Sequence, residues 1–289
     1  MKMSMLKLTT AVCVIFVLCV TISQAQQTFV STSFEAGEGF TSGSPVNGIS
    51  VTGGTMNTGS TTEWLADNGN ARDGTQSSRL SVGDSQRVQK LVIDSATHAA
   101  IDASTLPIEL TYSVFRPVAS TGGNIRVLMW GNMTGSGNSE EMTQIDLKPD
   151  GEIQVNYRDD DGGTGAGSNS KDNPGDLTGW YDFKLTMDFN KPSFERFQSA
   201  MYRAPGGAFT ELMPGPRGFA SPFACCTGGG GGGSQKFDEL WFYAENRTGS
   251  DTHPDIAFDN ISIREIPEPA TSLMLVIGLV GMISGVRRR

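Results

Sequence analysis

Cysteine and histidine, on which most metal sites and many nucleophilic sites depend, are scarce in this chain. Its 289 residues include four cysteines and two histidines. Two of the cysteines lie in the apolar N-terminal segment and the other two, Cys225 and Cys226, are neighbours, so no disulfide framework is available. A vicinal disulfide, an intermolecular bridge and two free thiols stay open for this pair. The histidines, His98 and His253, lack the short spacing of zinc ligands, which argues against a zinc enzyme.

Basic residues are also few. Lys and Arg number 22 against 31 Asp and Glu, and the net charge is −9. Five of the basic residues but only one acid, Glu268, lie in the terminal segments, so the central part of the chain is more acidic still. An acidic surface repels phosphate backbones, so the sequence predicts no nucleic-acid partner.

The sequence also lacks long amphipathic helices, βαβ alternation and internal repeats. Instead, apolar and polar residues alternate with period two over residues 108–114, 125–129, 153–157 and 181–189. Weaker runs bring the count to about a dozen strands, and Asp150-Gly151 between two runs is a hairpin signal. We therefore predict an all-β domain over residues 26–266, folded as an antiparallel two-sheet sandwich.

Some stretches depart from this regular pattern. The alternation changes phase at Asp238-Glu239 and at Asp259-Asn260, and each change indicates either a β-bulge or a strand end. Residues 193–202 fit a strand and a helix alike. Residues 159–176 and 205–234 are rich in glycine and are expected to be irregular.

The N-terminal segment has the parts of a signal peptide. Two early lysines precede an apolar run at residues 11–22, and Ser23-Gln24-Ala25 then supplies a small-x-small cleavage pattern. The run is too short to span a membrane comfortably. We predict a signal peptide at residues 1–25, with a signal helix that signal peptidase removes between Ala25 and Gln26, and therefore export.

The C-terminal segment reads as a membrane anchor. A stiff motif opens it: Pro267, Glu268 and Pro269. Residues 270–286 are uncharged and mostly apolar, and as a helix they would span about 25 Å, close to the hydrocarbon thickness of a bilayer. Three arginines end the chain: Arg287, Arg288 and Arg289. Positive charge stays on the cytoplasmic side, so we predict a transmembrane helix with the domain outside.

The order of these elements resembles the PEP-CTERM sorting signal, over residues 267–289. The resemblance implies that an exosortase recognises the Pro-Glu-Pro motif, that the arginines act as a stop signal, and that the protein reaches the cell surface or extracellular matrix. A plain C-terminal anchor with an accidental Pro-Glu-Pro is the alternative.

Short pieces of the central part resemble concanavalin A-like and jelly-roll domains of exported bacterial proteins. They are Ser33-Phe34-Glu35, Asp150-Gly151, residues 180–185 and residues 258–263. In jelly-roll carbohydrate-binding modules, a carboxylate near the first strand and an aspartate in the last share a structural Ca²⁺. The resemblance therefore implies a calcium site at Glu35 and Asp259, with a turn-capping role for Asp259 as the alternative.

A hydrolase of this fold would need two carboxylates flanking the scissile bond. The run with Glu140, Glu141 and Asp146 has the wrong spacing for the expected motif. The adjacent Asp238 and Glu239 point to opposite faces of a regular strand. The sequence therefore predicts no catalytic pair.

Exposed aromatic residues are the other expected sign of glycan binding. The candidates are Trp64, Trp130 and Trp241, the last two of which fall outside the inward phase of their strands. We predict a non-enzymatic exported protein of the cell envelope or extracellular matrix, whose β-sandwich binds polysaccharide or surface partners. The alternative is a secreted carbohydrate-active enzyme, a glycoside hydrolase or lyase.

Overall fold

Short strands, each with one apolar face, dominate the structure. The computed structural model describes residues 26–58, 63–81, 87–117, 123–131, 140–157, 168–175, 178–192, 195–213, 215–219, 237–244 and 255–266. The predicted signal peptide, the C-terminal segment 267–289, the Cys225-Cys226 pair and His253 lie outside the described residues. No helix in the described part of the chain is long and apolar enough to cross a membrane.

Sixteen strands run through the described ranges. They are β1 Thr28–Thr32, β2 Ser50–Val51, β3 Gly54–Asn57, β4 Trp64–Asp67, β5 Ser77–Leu80, β6 Arg87–Ile93, β7 Ile108–Arg116, β8 Ile125–Gly131, β9 Glu140–Leu147, β10 Ile153–Tyr157, β11 Ser168–Asp172, β12 Gly179–Met187, β13 Phe197–Arg203, β14 Thr210–Glu211, β15 Glu239–Ala244 and β16 Ala257–Glu265. One 3-10 helix, Ala36–Glu38, and one α-helix, α1 Ser95–Ala103, accompany them.

The strands form two antiparallel sheets. The first sheet has the order β14-β13-β12-β7-β16-β5-β4, and β1 pairs with the C-terminal half of β16. The second has the order β11-β10-β9-β8-β15-β6-β3-β2. All the strand pairs within them are antiparallel. The predicted all-β, two-sheet antiparallel sandwich is confirmed.

One hydrophobic core lies between the sheets. Tyr112 stacks on Phe183 within the first sheet, with ring centroids 5.1 Å apart. Across the sheets, Phe242 of β15 lies 4.7 Å from Phe258 of β16, centroid to centroid, and 6.1 Å from Tyr112. These rings occupy the inward positions that the period-two alternation indicates, because successive strand residues point to opposite faces.

Several local predictions can be compared with the strands. The hairpin at Asp150-Gly151 is confirmed, and Gly151 has a φ of 87°, which glycine adopts without strain. The register of β16 against β7 shifts after Asp259, so that phase change is a bulge. At Asp238-Glu239 the change marks the start of β15 instead. The ambiguous residues 193–202 contribute to strand β13.

Two stretches expected to be irregular contain strands. Residues 159–176 include β11, which pairs with β10 along five residues. Residues 205–234 include the short strand β14. β11 has the polar sequence SNSKD, so no apolar alternation signals it, and backbone pairing with β10 holds it in place.

Candidate functional site

The end of β1 and the bulge of β16 bring the two predicted calcium ligands to one place. Thr32 of β1 is the register partner of Ile261 in β16. Phe34 follows with a φ of 58° and its ring fully buried, and Glu35 comes next. Asp259 lies just before Ile261, at the bulge, and is fully buried.

The loop between β4 and β5, residues 68–76, binds both carboxylates through its backbone. Glu35 accepts hydrogen bonds from the backbone N–H groups of Thr75 and Gln76, at 2.6 and 2.9 Å, and from the Thr75 hydroxyl at 2.5 Å. Asp259 accepts from the backbone N–H of Arg72 at 2.8 Å. Glu35 and Asp259 are therefore both hydrogen-bonded to the same loop.

Burial raises the pKa of Asp259 to about 7, against the lowering effect of the backbone N–H groups that it accepts, and the charge of Glu35 raises it further. None of the lysines and arginines that the structure describes forms an ion pair with Asp259. The guanidinium of Arg72 binds Asp182 instead, at 2.9 and 3.0 Å. The hydrogen bond with Asp182 raises the pKa of Arg72, and the charge of Asp259 adds to this effect. A buried acid whose ionisation a second acid opposes suits a divalent cation, which would stabilise both charges.

The same geometry also accommodates the turn-capping alternative. Asp259 accepts a hydrogen bond at 2.7 Å from the backbone N–H of Asn260, whose φ is 52°. Within the described ranges, no three His, Cys, Asp or Glu side chains are grouped as metal ligands. A Ca²⁺ ion held by Glu35 and Asp259 would therefore take its other ligands from carbonyl groups or water, as calcium often does.

A second candidate site lies on the outer face of the second sheet, which we call the aromatic face. Residues opposite one another in register form its rows. The first row is Glu141, Trp130 and Glu239; the second is Gln144, Leu128, Trp241 and Lys90; the third is Asp146, Arg126 and Tyr243. The intervening Val127, Met129, Leu240 and Phe242 belong to the core cluster, whereas Leu128 and Trp130 do not. The rows therefore face away from the core.

Three aromatic rings lie side by side on this face. The centroids of Trp130 and Trp241 are 4.6 Å apart, and those of Trp241 and Tyr243 are 5.8 Å apart. Lys90 Nζ sits 3.6 Å from the centroid of the Trp241 ring, a cation–π contact. Trp130 is fully buried, and Trp241 and Tyr243 are half-buried. The aromatic group therefore extends from the surface into a buried position.

Trp130 and Glu141 each bury a polar atom that lacks a partner. Neither Nε1 of Trp130 nor Oε1 of Glu141 has a hydrogen-bond partner among the described residues. Trp130 is fully buried, Glu141 is 4% exposed, and the two are direct cross-strand partners. Leaving a buried polar group unsatisfied costs about 1–3 kcal/mol. An unpaired donor and an unpaired acceptor on neighbouring residues are therefore an uncommon arrangement that calls for an explanation.

The other charged groups of the face are paired with one another. Arg126 Nε lies 2.9 Å from Asp146 Oδ1, an ion pair without hydrogen-bond alignment. Lys90 Nζ lies 3.9 Å from Glu239 Oε2, which also accepts a hydrogen bond from Trp241 Nε1.

Glu141 is the charged group of the face without such a partner in the described ranges. Burial raises its pKa to about 7; the charge of Arg126 acts against this and that of Asp146 adds to it. Burial also raises the pKa of Asp146, opposed first by the charge of Arg126 and then by the hydrogen bond from Gln144.

The structure places two carboxylates on one face that the sequence pattern does not bring together. Residues five apart on a regular strand point to opposite faces, so the sequence does not bring Glu141 and Asp146 together. However, the register between β8 and β9 shifts between Met129 and Trp130. Glu141 therefore pairs with Trp130 and Asp146 with Arg126, on the same face. The side chain of Glu140 lies outside the described residues.

The predictions for the tryptophans have different outcomes. The outward placement of Trp130 and Trp241 is confirmed by their register on the aromatic face. Trp64 as a glycan contact is wrong, because its side chain belongs to the core and packs against Phe258, with centroids 5.4 Å apart. Trp130 is as buried as Trp64 but lies on the outer face. Of the two histidines considered as zinc ligands, His98 lies within the described residues, with its Nε2 3.9 Å from Asp238 Oδ1.

Sequence reasoning missed Glu141, Asp146 and Arg126 as a group. The available signal was that Trp130 falls on the outward phase of β8 together with Arg126, so the two side chains share a face. The bulge that aligns the acids leaves no comparable signal, because nothing in the run 140–147 reveals a register shift.

The fold and the two sites thus define a two-sheet antiparallel β-sandwich with an acidic pair on one sheet and an aromatic face on the other. No protein-family model matches the sequence, and no curated protein matches it.

Among solved structures, the chain is similar to a Trypanosoma rangeli sialidase (12% identity, TM-score 0.41, 81% of this chain and 30% of the sialidase). It is also similar to a carbohydrate esterase from the Shiga toxin-encoding bacteriophage phi24B (16% identity, TM-score 0.44, 83% of this chain and 99% of the esterase). A third is the binding domain of Botulinum neurotoxin DC in complex with SialylT (8% identity, TM-score 0.43, 83% of this chain and 48% of that chain). The chain spans about a third of the sialidase and half of the toxin domain. At such low TM-scores the fold description rests on the strands themselves.

Proposed function

We propose that the sandwich is a carbohydrate-binding domain without catalytic activity, and that the aromatic face is its binding surface. The observation that carries the proposal is the aromatic row of Trp130, Trp241 and Tyr243, set among amide and charged side chains on an outer sheet face. The outer face of an antiparallel sandwich is ordinarily polar. Saccharides combine apolar C–H faces with hydroxyl groups, and therefore suit a surface that combines rings with hydrogen-bonding groups.

We further propose that the domain acts outside the cell. The support is the sequence pattern at each end: a signal peptide at residues 1–25, and a PEP-CTERM-like tail with an apolar helix at residues 270–286. Signal peptidase and an exosortase would be the processing partners, and polysaccharide or neighbouring surface molecules the binding partners. The acidic composition suits a domain that stays soluble outside the cell.

A hydrolase is the second candidate, and one observation favours it. Glu141 and Asp146 share a face and have different surroundings, which is the arrangement that separates a general acid from a carboxylate base or nucleophile. We prefer binding because Asp146, the second acid that a hydrolase would need, is engaged by Arg126 at 2.9 Å.

The test uses the purified full-length chain and a panel of soluble polysaccharides, with binding followed by affinity electrophoresis and turnover by reducing-sugar release. We expect binding without release. Trp241→Ala should weaken binding at least tenfold, because it removes the half-buried ring of the aromatic face.

Trp180→Ala is the matched control. Trp180 is half-buried on the outer face of the first sheet, where it packs on Phe115 with centroids 5.4 Å apart, and its removal should leave binding unchanged. Equal loss in both variants would contradict the assignment of the surface. Sugar release that Glu141→Gln abolishes would establish the hydrolase instead.

A further inference from the structure

We propose that Trp130 and Glu141 together bind one hydroxyl group of the ligand, and that the ligand is an uncharged saccharide rather than an acidic one. This inference rests on the carbohydrate-binding function proposed above, and it assigns the chemical class of the ligand and the two polar contacts that select it.

A hydroxyl group matches the two unpartnered atoms. The indole N–H of Trp130 is a donor only, and Glu141, when ionised above its pKa of about 7, is an acceptor only. Neither Trp130 Nε1 nor Glu141 Oε1 has a partner in the described part of the chain, although both residues are at least 96% buried. A hydroxyl accepts one hydrogen bond and donates another, so a single group would satisfy both atoms. An ammonium group could only donate, and a carboxylate could only accept.

The pair lies beside the partly exposed part of the aromatic face. Trp130 and Glu141 are cross-strand partners on β8 and β9, so their side chains are direct neighbours on one face. The Trp241 ring is half-buried, packs against Trp130 with a centroid distance of 4.6 Å, and carries Lys90 Nζ 3.6 Å from its centroid. A saccharide that contacts Trp241, at its exposed edge or in place of Lys90, would have the buried pair beside it, where a hydrogen bond is stronger than in water.

The charges of the face argue against an acidic ligand. Its basic groups already have acidic partners: Arg126 with Asp146 at 2.9 Å, and Lys90 with Glu239 at 3.9 Å. Lys171, opposite Gln154 on the next strand pair, lies 3.2 Å from Glu152. A ligand carboxylate or sulfate would displace one of these ion pairs, and above pH 7 it would also meet the ionised Glu141. Specificity against acidic ligands then follows from repulsion and from the absence of an uncommitted cation among these described residues.

The experiment measures, at pH 8 where Glu141 is ionised, the binding of the purified full-length chain to neutral polysaccharides (dextran, laminarin and galactomannan) and to acidic ones (alginate and polygalacturonate). Trp130→Phe removes the N–H and keeps a ring, and Glu141→Met removes the acceptor and keeps the length. We expect each to weaken neutral binding by about tenfold. The double variant should bind about as weakly as either single variant, because both residues hold the same hydroxyl.

Matched controls separate this effect from general damage. Trp64→Phe changes another buried tryptophan whose Nε1 has no partner among the described residues, and Glu109→Met changes a buried outer-face acid of the first sheet that binds Arg264. Neither should alter binding. Should Glu141→Met fail to fold, Glu141→Gln keeps an acceptor and removes the charge. It should retain neutral binding and reduce the preference over polygalacturonate.

The outcomes are distinguishable. If Trp130→Phe and Glu141→Met bind neutral polysaccharide like the wild type while Trp241→Ala does not, the hydroxyl assignment is overturned and the proposed function stands. If alginate or polygalacturonate binds more tightly than every neutral polysaccharide, the ligand class is overturned. If the wild type binds none of the panel, the proposed function fails and the inference fails with it.

Discussion

Glu141 and Asp259, both nearly or fully buried, have pKa values raised to about 7 by burial. Folding therefore favours their protonated forms, and between about pH 4.5 and pH 7 the folded state binds protons that the unfolded state has released. The contribution to stability is fully present at lower pH and is lost as pH rises through the folded pKa. This is opposite to the behaviour of a salt-bridged carboxylate.

We predict that the domain is more stable at pH 5 than at pH 8 and that Glu141→Gln reduces the difference. A rise in pKa from 4.5 to about 7 corresponds to roughly 3 kcal/mol over this range. The measurement is urea unfolding of both proteins at the two pH values. Glu152→Gln is the control, because the pKa of Glu152 is lowered by its hydrogen bond with Lys148. Identical pH dependence in wild type and Glu141→Gln would contradict the assignment.

Asp259 allows a second prediction, on calcium. A Ca²⁺ ion between Glu35 and Asp259 would stabilise the ionised pair, so millimolar calcium should raise the melting temperature by several degrees at pH 8. At pH 5 the gain should be smaller, because Asp259 is then protonated.

Glu35→Gln and Asp259→Asn should each remove the calcium effect, with EDTA giving the reference state. Asp150→Asn is the matched control, since Asp150 caps the β9–β10 hairpin by accepting the backbone N–H of Glu152 at 3.1 Å. A melting temperature that calcium does not change in the wild type would leave Asp259 as a cap of the bulge.

At the scale of the element, the strongly alternating strands could be read from the sequence because burial of one face imposes period two. The runs at 108–114 and 181–189 correspond to β7 and β12, and those at 125–129 and 153–157 to β8 and β10. What could not be predicted depends on pairing rather than on pattern. β11 is polar throughout and β3 is Gly-Thr-Met-Asn, so only the neighbouring strands decide that they are strands.

The short helix α1 illustrates a different limit. It has nine residues and buries only Ile101, so it has no apolar stripe for a periodicity argument to find. The sequence nevertheless indicates where the helix begins, because aspartate is a favoured N-cap residue. In the structure Asp94 accepts a hydrogen bond from the backbone N–H of Thr97 at 2.8 Å. Capping signals would have located this helix where periodicity did not.

Gly53, between β2 and β3, carries a prediction at this scale. Its φ is +79°, and a Cβ added there would overlap the carbonyl oxygen of Phe29 in β1. Gly53→Ala should therefore destabilise the domain through both backbone strain and the clash, by about 2–4 kcal/mol.

Gly43 separates the two effects. Its φ is +80°, but nothing lies within 4 Å of a Cβ at that position, so Gly43→Ala should cost only the strain, about 1 kcal/mol. Denaturant unfolding of the two variants measures the difference. Equal losses would mean that β1 shifts freely away from the β2–β3 connection.

At the scale of the whole molecule, Thr28–Glu265 forms one compact unit, and its first and last strands are neighbours. β1 pairs with β16, and β16 lies between β7 and β5 within the first sheet. The strand that precedes the C-terminal segment in sequence is therefore held by pairing on both sides.

The arginine cluster at the end of the chain gives the last prediction. In a bacterial host with an exosortase, wild-type protein should lose residues 1–25 and become accessible to protease added outside the cell. Replacing Arg287, Arg288 and Arg289 by asparagine removes the charge that keeps the end of the apolar segment on the cytoplasmic side, so membrane retention should fall while export continues. Arg264→Asn, which changes an arginine of β16, is the control and should be retained like the wild type.

Cytosolic protein with an intact leader would contradict export. Unchanged retention of the triple variant would instead mean that the apolar segment at 270–286 is held in the membrane by its length alone, or that processing at Pro267-Glu268-Pro269 occurs before the arginines matter.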